Sequence, residues 1–359
     1  MAIRHFSGNY RGEHAEFDYD DKMFVFSSAY WTHDSSEKFL TLKAGYYGPI
    51  DKPKGLTNLD SLFRDSNLTD CYFRNFDTSD VTKMSGMFFG CTIPEDFTLG
   101  DKFDTSKVKD MSEMFERCYI HDGFSLGDKF DTSNVEKMNR MFHMCLLPEG
   151  FSLGDRFDTS KVEDMNAMFG YCDIPNSFTL GDKFDTSKVK DMYDMFNSCI
   201  LPDGFTLGDK FDTSRVQDMG CMFESSVLPK GFSLGNRFNT FNVENMSAMF
   251  ERCDISEGFI LGDKFDTSNV EKMFAMFSGC ELPNGFTLGD KFDTSECDNM
   301  EEMFDHCVMP RSFYKMYKDK FDLTEAEISE DNGLCDEDIP DTIDEEYNDI
   351  DDDSKEFGG

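Results

Sequence analysis

The stretch Phe103-Asp104-Thr105-Ser106-Lys107-Val108-Lys109-Asp110-Met111-Ser112-Glu113-Met114-Phe115-Glu116-Arg117-Cys118 decides how this chain is read. It returns every 27 residues, its opening Phe falling at 76, 103, 130, 157, 184, 211, 238, 265 and 292. Nine copies with no insertion between them mark a stacked repeat array, in which neighbouring units bury one another's apolar face.

Within the stretch, Val108, Met111, Met114, Phe115 and Cys118 stand at i, i+3, i+6, i+7 and i+10. At about 100° per residue they share one arc of a helix, with Lys107, Lys109, Asp110, Glu113 and Glu116 opposite. Asp104, Thr105 and Ser106 offer the side-chain oxygens that a helix start takes. The spacing predicts an amphipathic helix of about three turns. A connector follows, which in other copies holds Pro94, Pro148, Pro175, Pro202, Pro229 or Pro283 and stops the helix. Phe124-Ser125-Leu126 then alternates like a short strand with one buried face, and Gly127-Asp128 turns into the next copy.

The fold expected from this is an α/β solenoid with one short strand and one helix per 27-residue repeat, nine full repeats plus a degenerate first coil. In that first coil Leu56, Leu59, Leu62 and Phe63 echo Val81, Met84, Met87 and Phe88. The expected boundaries are an N-terminal β-rich cap over 1–49, a repeat solenoid over 50–318 and an acidic tail over 319–359. Strands are expected near 23–28 and 38–47, and the tail reads as disordered.

Phe130 to Cys145 follows the pattern Phe-Asp-Thr-Ser-x-Val-x-x-Met-x-x-Met-Phe-x-x-Cys. This closely resembles the BspA-like leucine-rich repeat surface proteins, related arrays of which occur in mycoplasmas, gut bacteria, protists and some large viruses. The resemblance spans about residues 50–318. It implies a leucine-rich-repeat-like α/β solenoid, a role in adhesion or protein binding, and no catalytic residues. The chain departs from the pattern in its Gly-Asp-Lys/Arg-Phe insert, where shorter repeats run Leu-Ser-Asn-Phe. Met1 to Gly12 also lack an export signal.

Composition narrows the partners. The formal net charge is −37, and residues 322–359 carry 17 acids against Lys355 alone. Nucleic acid and anionic membrane need Lys and Arg, so neither is expected as a partner. No apolar run reaches the roughly 20 residues of a membrane span. Twelve Cys without an export signal point to reduced thiols and an intracellular, cytoplasmic monomer. A cell or particle surface is the alternative that the family resemblance implies.

Eight of those Cys form a column: Cys91, Cys118, Cys145, Cys172, Cys199, Cys253, Cys280 and Cys307, with Ser226 in the ninth place. Packed helices sit about 8–10 Å apart, too far for disulfides, and one file of thiols does not converge on a metal. Small buried side chains are the expectation, with Ser226 meeting a size constraint. Asp101 with Asp104, repeated through Asp290 with Asp293, forms acidic columns that suit Ca²⁺ along one edge, but Lys102, Lys129, Arg156 and Lys183 interleave them. A hydroxyl row (Thr98, Ser125, Ser152, Thr179, Thr206, Ser233, Thr287) suits a periodic ligand or a plain solvated strand face.

No Walker A, Gly-x-Gly-x-x-Gly, His-Glu-x-x-His or Cys-x-x-Cys sequence occurs, and the six His keep no register. An enzyme is not expected, nor is a cofactor or a metal site. The candidate partner-binding residues are Tyr193 and Phe274 on the variable outer face. Ile339, Ile343, Tyr347 and Ile350 join them, at near-helical spacing in the tail. The expected function is a non-catalytic protein-binding scaffold. The alternatives are a surface adhesin or envelope protein recognising host protein or glycan, and calcium or periodic-ligand binding along the repeat edge.

Overall fold

A computed structural model describes residues 3–11, 13–28, 38–73, 75–95 and 97–329. The backbone of residues 111–118 decides its architecture. Met114, Glu116 and Cys118 each donate their N–H to the carbonyl three residues back, at 3.2, 3.0 and 3.1 Å. Met111, Glu113, Phe115 and Arg117 donate instead to Lys137, Asn139, Met141 and His143 of the next repeat, at 3.0, 2.9, 2.9 and 2.8 Å. A helix would keep all of these bonds within itself. Glu113 and Arg117 both hold φ near +58°, and Arg140, Met144, Ala167 and Tyr171 repeat the pair in the next two copies. Positive φ at the third place of a four-residue turn is the type II geometry. Each copy is therefore a run of tight turns hydrogen-bonded sideways.

The expected helix per repeat, and with it the α/β leucine-rich-repeat-like solenoid, is overturned. Among the described residues the single helix is α1, Arg311–Tyr317, which follows the repeats. Spacing is the physical reason. The rings of Phe88, Phe115, Phe142, Phe169, Phe196 and Phe223 stack with centroids 5.3–5.8 Å apart. Packed helices need about 8–10 Å, whereas hydrogen-bonded neighbours in a sheet sit about 4.8 Å apart. The burial pattern survives the change, since Val108, Met111, Met114, Phe115 and Cys118 are all at most 2% exposed. Phe124-Ser125-Leu126 alternates buried, exposed, buried, but its ladder contact is a lone Thr98–Ser125 bridge rather than a strand.

The chain opens with β1 (Ile3–Tyr10) antiparallel to β2 (Glu13–Asp20), and β3 (Phe24–Ser28) antiparallel to β4 (Lys38–Leu42). The Leu42 N–H donates to the Leu62 carbonyl at 3.1 Å, which lays this end on the first coil. β5 (Gly48–Ile50) then pairs in parallel with β6 (Cys71–Phe73). Through the repeats, parallel bridges at 27-residue intervals form two columns, one running from Lys83 to Asn299 and one ending at Val308. Where pairing lengthens it gives β7 (Thr92–Ile93) with β8 (Tyr119–Ile120), and β9 (Val227–Leu228) with β10 (Asp254–Ile255). These short strands lie in the expected connector. β11 (Val308–Pro310) leads into α1 and pairs in parallel with β12 (Glu327–Ser329). One buried apolar cluster runs from Tyr10 to Leu323.

The Asp-Thr-Ser element has a different task from a helix start. Asp104 Oδ1 accepts the Ser106 N–H at 2.9 Å, closing a side-chain turn. Thr105 Oγ1 donates to the Asp131 carbonyl at 2.9 Å and accepts the Asp131 N–H at 2.7 Å, fastening two repeats together. The Cys column is buried, and six of its eight thiols reach backwards. Sγ of Cys118, Cys145 and Cys280 donates to the carbonyls of Phe88, Phe115 and Phe250 at 2.9, 2.7 and 2.7 Å. Ser226 Oγ does the same to Phe196 at 2.6 Å, so the column selects a small donor and not size alone. Adjacent coils at sheet spacing lie within disulfide reach, which removes the helix-spacing argument. All eleven described cysteines are nonetheless free, and burial pushes Cys199 and Cys307 up to about 12.

Candidate functional site

Tight turns consume the backbone polar groups, and the turn side chains that do not enter the core face outward, one repeat beside the next. Tyr193 shows how register builds a site there. Its ring lies against Gly220, 27 residues on, where a Cβ would come within 3.0 Å of the ring and 2.9 Å of Asn245 Nδ2. A side chain at 220 would press on both the ring and the Asn245 amide. Cys221 Sγ donates to Tyr193 Oη at 3.4 Å.

Asp194, Cys221 and Glu224 each bring one ligand atom within 4.8 Å of the others, the one such trio among the described residues. Parallel stacking explains it, because Cys221 is one repeat beyond Asp194 and Glu224 is one turn further. Asn197 Nδ2 donates to Asp194 Oδ1 at 2.6 Å and to Glu224 Oε2 at 3.1 Å, bridging the two carboxylates. Tyr171, 50% exposed, stands edge-on to His143 at 5.6 Å, and His143 Nδ1 lies 3.3 Å from Glu116 Oε1. Exposed Met144 is the next residue along. The result is a patch of two aromatic rings and a thioether, Tyr171, Tyr193 and Met144, beside a pair of carboxylates.

Burial first, then Glu224, raises the pKa of Asp194. Burial also pushes Cys221 up to about 12, which favours the protonated thiol at neutral pH. The hydrogen-bonded pairing with Cys221, in which the phenol O–H can donate to the sulfur, raises Tyr193 ahead of burial. The trio has the donor types of a thiolate–carboxylate zinc set, but metal binding there would first have to remove the thiol proton. Without a metal, it places negative charge beside aromatic rings.

Of the residues singled out from sequence, Tyr193 is 37% exposed and sits in this patch. Phe274 is half-buried at the same repeat position three copies later, apart from the patch. Ile339, Ile343, Tyr347 and Ile350 lie outside the described residues. Sequence reasoning missed Met144, Tyr171, Asp194, Cys221 and Glu224. The available signal was Cys221, which falls outside the eight-Cys column and lies 27 residues after an Asp. The acidic columns have local partners: Asp131 with Arg156 at 3.6 Å, Asp212 with Arg237 at 3.6 Å and Asp266 with Lys291 at 3.8 Å. In the hydroxyl row, Ser125 and Ser152 accept the N–H of Gly127 and Gly154 at 3.2 and 3.1 Å.

A family model described as "Mycoplasma protein of unknown function, DUF285" matches residues 57–172, 152–228 and 230–328. Together the matches take in every residue from 57 to 328 except 229. No curated protein and no solved structure matches the chain. Among the described residues no helix is long and apolar enough to cross a membrane.

Proposed function

The chain belongs to the DUF285 family, and from that premise we propose that it is a non-catalytic scaffold whose repeats present a rigid surface to a protein partner. The turn-face patch carries this reading. Met144, Tyr171 and Tyr193 are large, exposed side chains on a backbone hydrogen-bonded to the repeats on either side. Tyrosine supplies broad contact area with few rotatable bonds, and a pre-ordered backbone lowers the entropy lost on association. Asp194 and Glu224 beside the rings favour a partner with Lys or Arg at the contact. The second reading is a surface adhesin taking host protein or glycan, favoured by the BspA-like motif of Phe130 to Cys145.

Affinity capture with mass spectrometry from native cells tests the proposal, using the full chain, a Tyr171→Ala/Tyr193→Ala variant and a chain ending at Ser329. The expected result is a partner held by the first and third but weakened about tenfold or more by the double variant. A partner held equally by all three would remove the patch as the site. A partner lost only by the shortened chain would move recognition to 330–359.

A further inference from the structure

Each repeat from the second to the eighth passes four N–H bonds to the next copy. The last complete set runs from Met273, Ala275, Phe277 and Gly279 to Asn299, Glu301, Met303 and Asp305, at 2.8, 2.9, 2.9 and 2.8 Å. In the ninth copy only the fourth bond is made, from His306 to the Glu325 carbonyl at 3.0 Å, with β12 continuing the ladder beside it. The N–H groups of Met300, Glu302 and Phe304 meet no backbone acceptor among the described residues. Residues 325–329 thus close one half of the last repeat, and Phe321 covers the Phe292 and Phe304 rings with centroids 6.1 and 5.3 Å away, which leaves the backbone around Met300 and Glu302 as an open edge among the described residues.

Side chains along that half agree. Met300 is 42% exposed, while the eight Met at its position in earlier copies, Met84 to Met273, are all at 0%. Cys297, half-buried, stands where the eight earlier copies have a buried Val, and Phe292 is partly uncovered. The edge is also acidic, with seven Asp and Glu between 290 and 305 against Lys291 alone.

We propose that this C-terminal edge of the stack, from Cys297 to Phe304, docks a basic, turn-forming segment of a partner protein, its carbonyls meeting the Met300, Glu302 and Phe304 N–H groups as another repeat's would while Phe321 keeps the apolar place beside Phe304. Charge selects this occupant over the others. A second copy cannot add head to tail, because the first coil already carries the Leu42 contact, and edge to edge it would oppose like charges. Residues 330–359 are acidic as well, and the edge repels them for the same reason. The molecule already contains the fitting geometry. Lys137 to Cys145 places its carbonyls on the N–H groups of Met111, Glu113, Phe115 and Arg117, and carries Lys137, Arg140 and His143 with no acid. This surface shares no residue with the turn-face patch and stands independently of it.

The test titrates the full-length protein with a synthetic peptide of the sequence 137–145, and separately with one of the sequence 299–307, which has the same pattern but is acidic. Affinity is read by fluorescence anisotropy and the docking place by amide hydrogen exchange. The basic peptide is expected to bind about tenfold more tightly than the acidic one and to slow exchange at Met300, Glu302 and Phe304. Glu301→Lys/Glu302→Lys, which alters exposed side chains only, should cost about tenfold in that affinity. Equal binding of the two peptides, or slowed exchange only elsewhere, overturns the proposal. Protection of the same three amides by self-association, seen in sedimentation without peptide, also overturns it and assigns the edge to a second copy. The Tyr171→Ala/Tyr193→Ala protein separates the two surfaces. It should bind the basic peptide unchanged even where it loses the captured partner.

Discussion

Asp194 is half-buried beside Glu224 and the Cys221 thiol, and burial together with Glu224 lifts its pKa above 3.8. A carboxyl raised by folding adds stability below its unfolded pKa and loses it as pH climbs through the folded value. Asp194→Asn drops the charge and keeps an oxygen for Asn197, so this variant should melt higher than the parent at about pH 7. The two should converge as pH falls below about 4. Thermal melts across that range decide it, and a variant less stable at neutral pH would mean that the charge at 194 is stabilised by a counterion. Asp104 has the opposite sign. Hydrogen bonds from Ser106 lower its pKa, so its contribution is present above 3.8 and disappears as pH falls through the depressed value. Acid therefore weakens the Asp-Thr-Ser turns while relieving the patch.

At the scale of the element, Arg140 separates helix from turn. It is exposed, its φ is +57°, and its N–H crosses to Asn166 at 2.8 Å. In a left-handed conformation Gly is favoured over a residue with a Cβ by about 1 kcal/mol. In a helix interior Ala is favoured over Gly by about the same amount. Arg140→Gly should accordingly be more stable than Arg140→Ala in denaturant unfolding, and the reverse order would restore the helix. The sequence left this open for a physical reason. Steps of three and four residues send Val108, Met111, Met114, Phe115 and Cys118 inward on a helix and on successive tight turns alike. The period of 27 and the inward-facing set could be read directly. The left-handed positions could not, because Glu113, Arg117, Arg140 and Met144 occupy them where Gly86 and Gly90 advertise them in one copy. The patch was less legible still. Asp194, Cys221 and Glu224 meet because repeats stack in parallel at sheet spacing, whereas packed helices would stand about 8–10 Å apart.

The two ends of the molecule differ, and the difference sets where it opens. A stacked array gains its stability from neighbour contacts, so a repeat with one neighbour is held less firmly than one with two. At the N-terminal end β1 to β4 precede the first coil, and Leu42 bonds directly onto it. At the C-terminal end β12 and α1 close the Val308 side of the last repeat, while the N–H groups of Met300, Glu302 and Phe304 meet no backbone acceptor among the described residues. Opening should start at residues 292–304 and advance inward one repeat at a time. Native-state hydrogen exchange with increasing denaturant gives the order. The Met273, Ala275 and Phe277 amides, which depend on that last repeat for their acceptors, should exchange before their counterparts Met165, Ala167 and Phe169 in the middle of the stack. Each repeat crossed should raise the opening free energy, because one more interface must be broken. Uniform protection along the stack would instead mean that all nine copies melt as one unit and that the open edge costs nothing. The basic peptide makes the same point from the other side: by supplying acceptors at 300, 302 and 304 it should slow Met273, Ala275 and Phe277 without touching them.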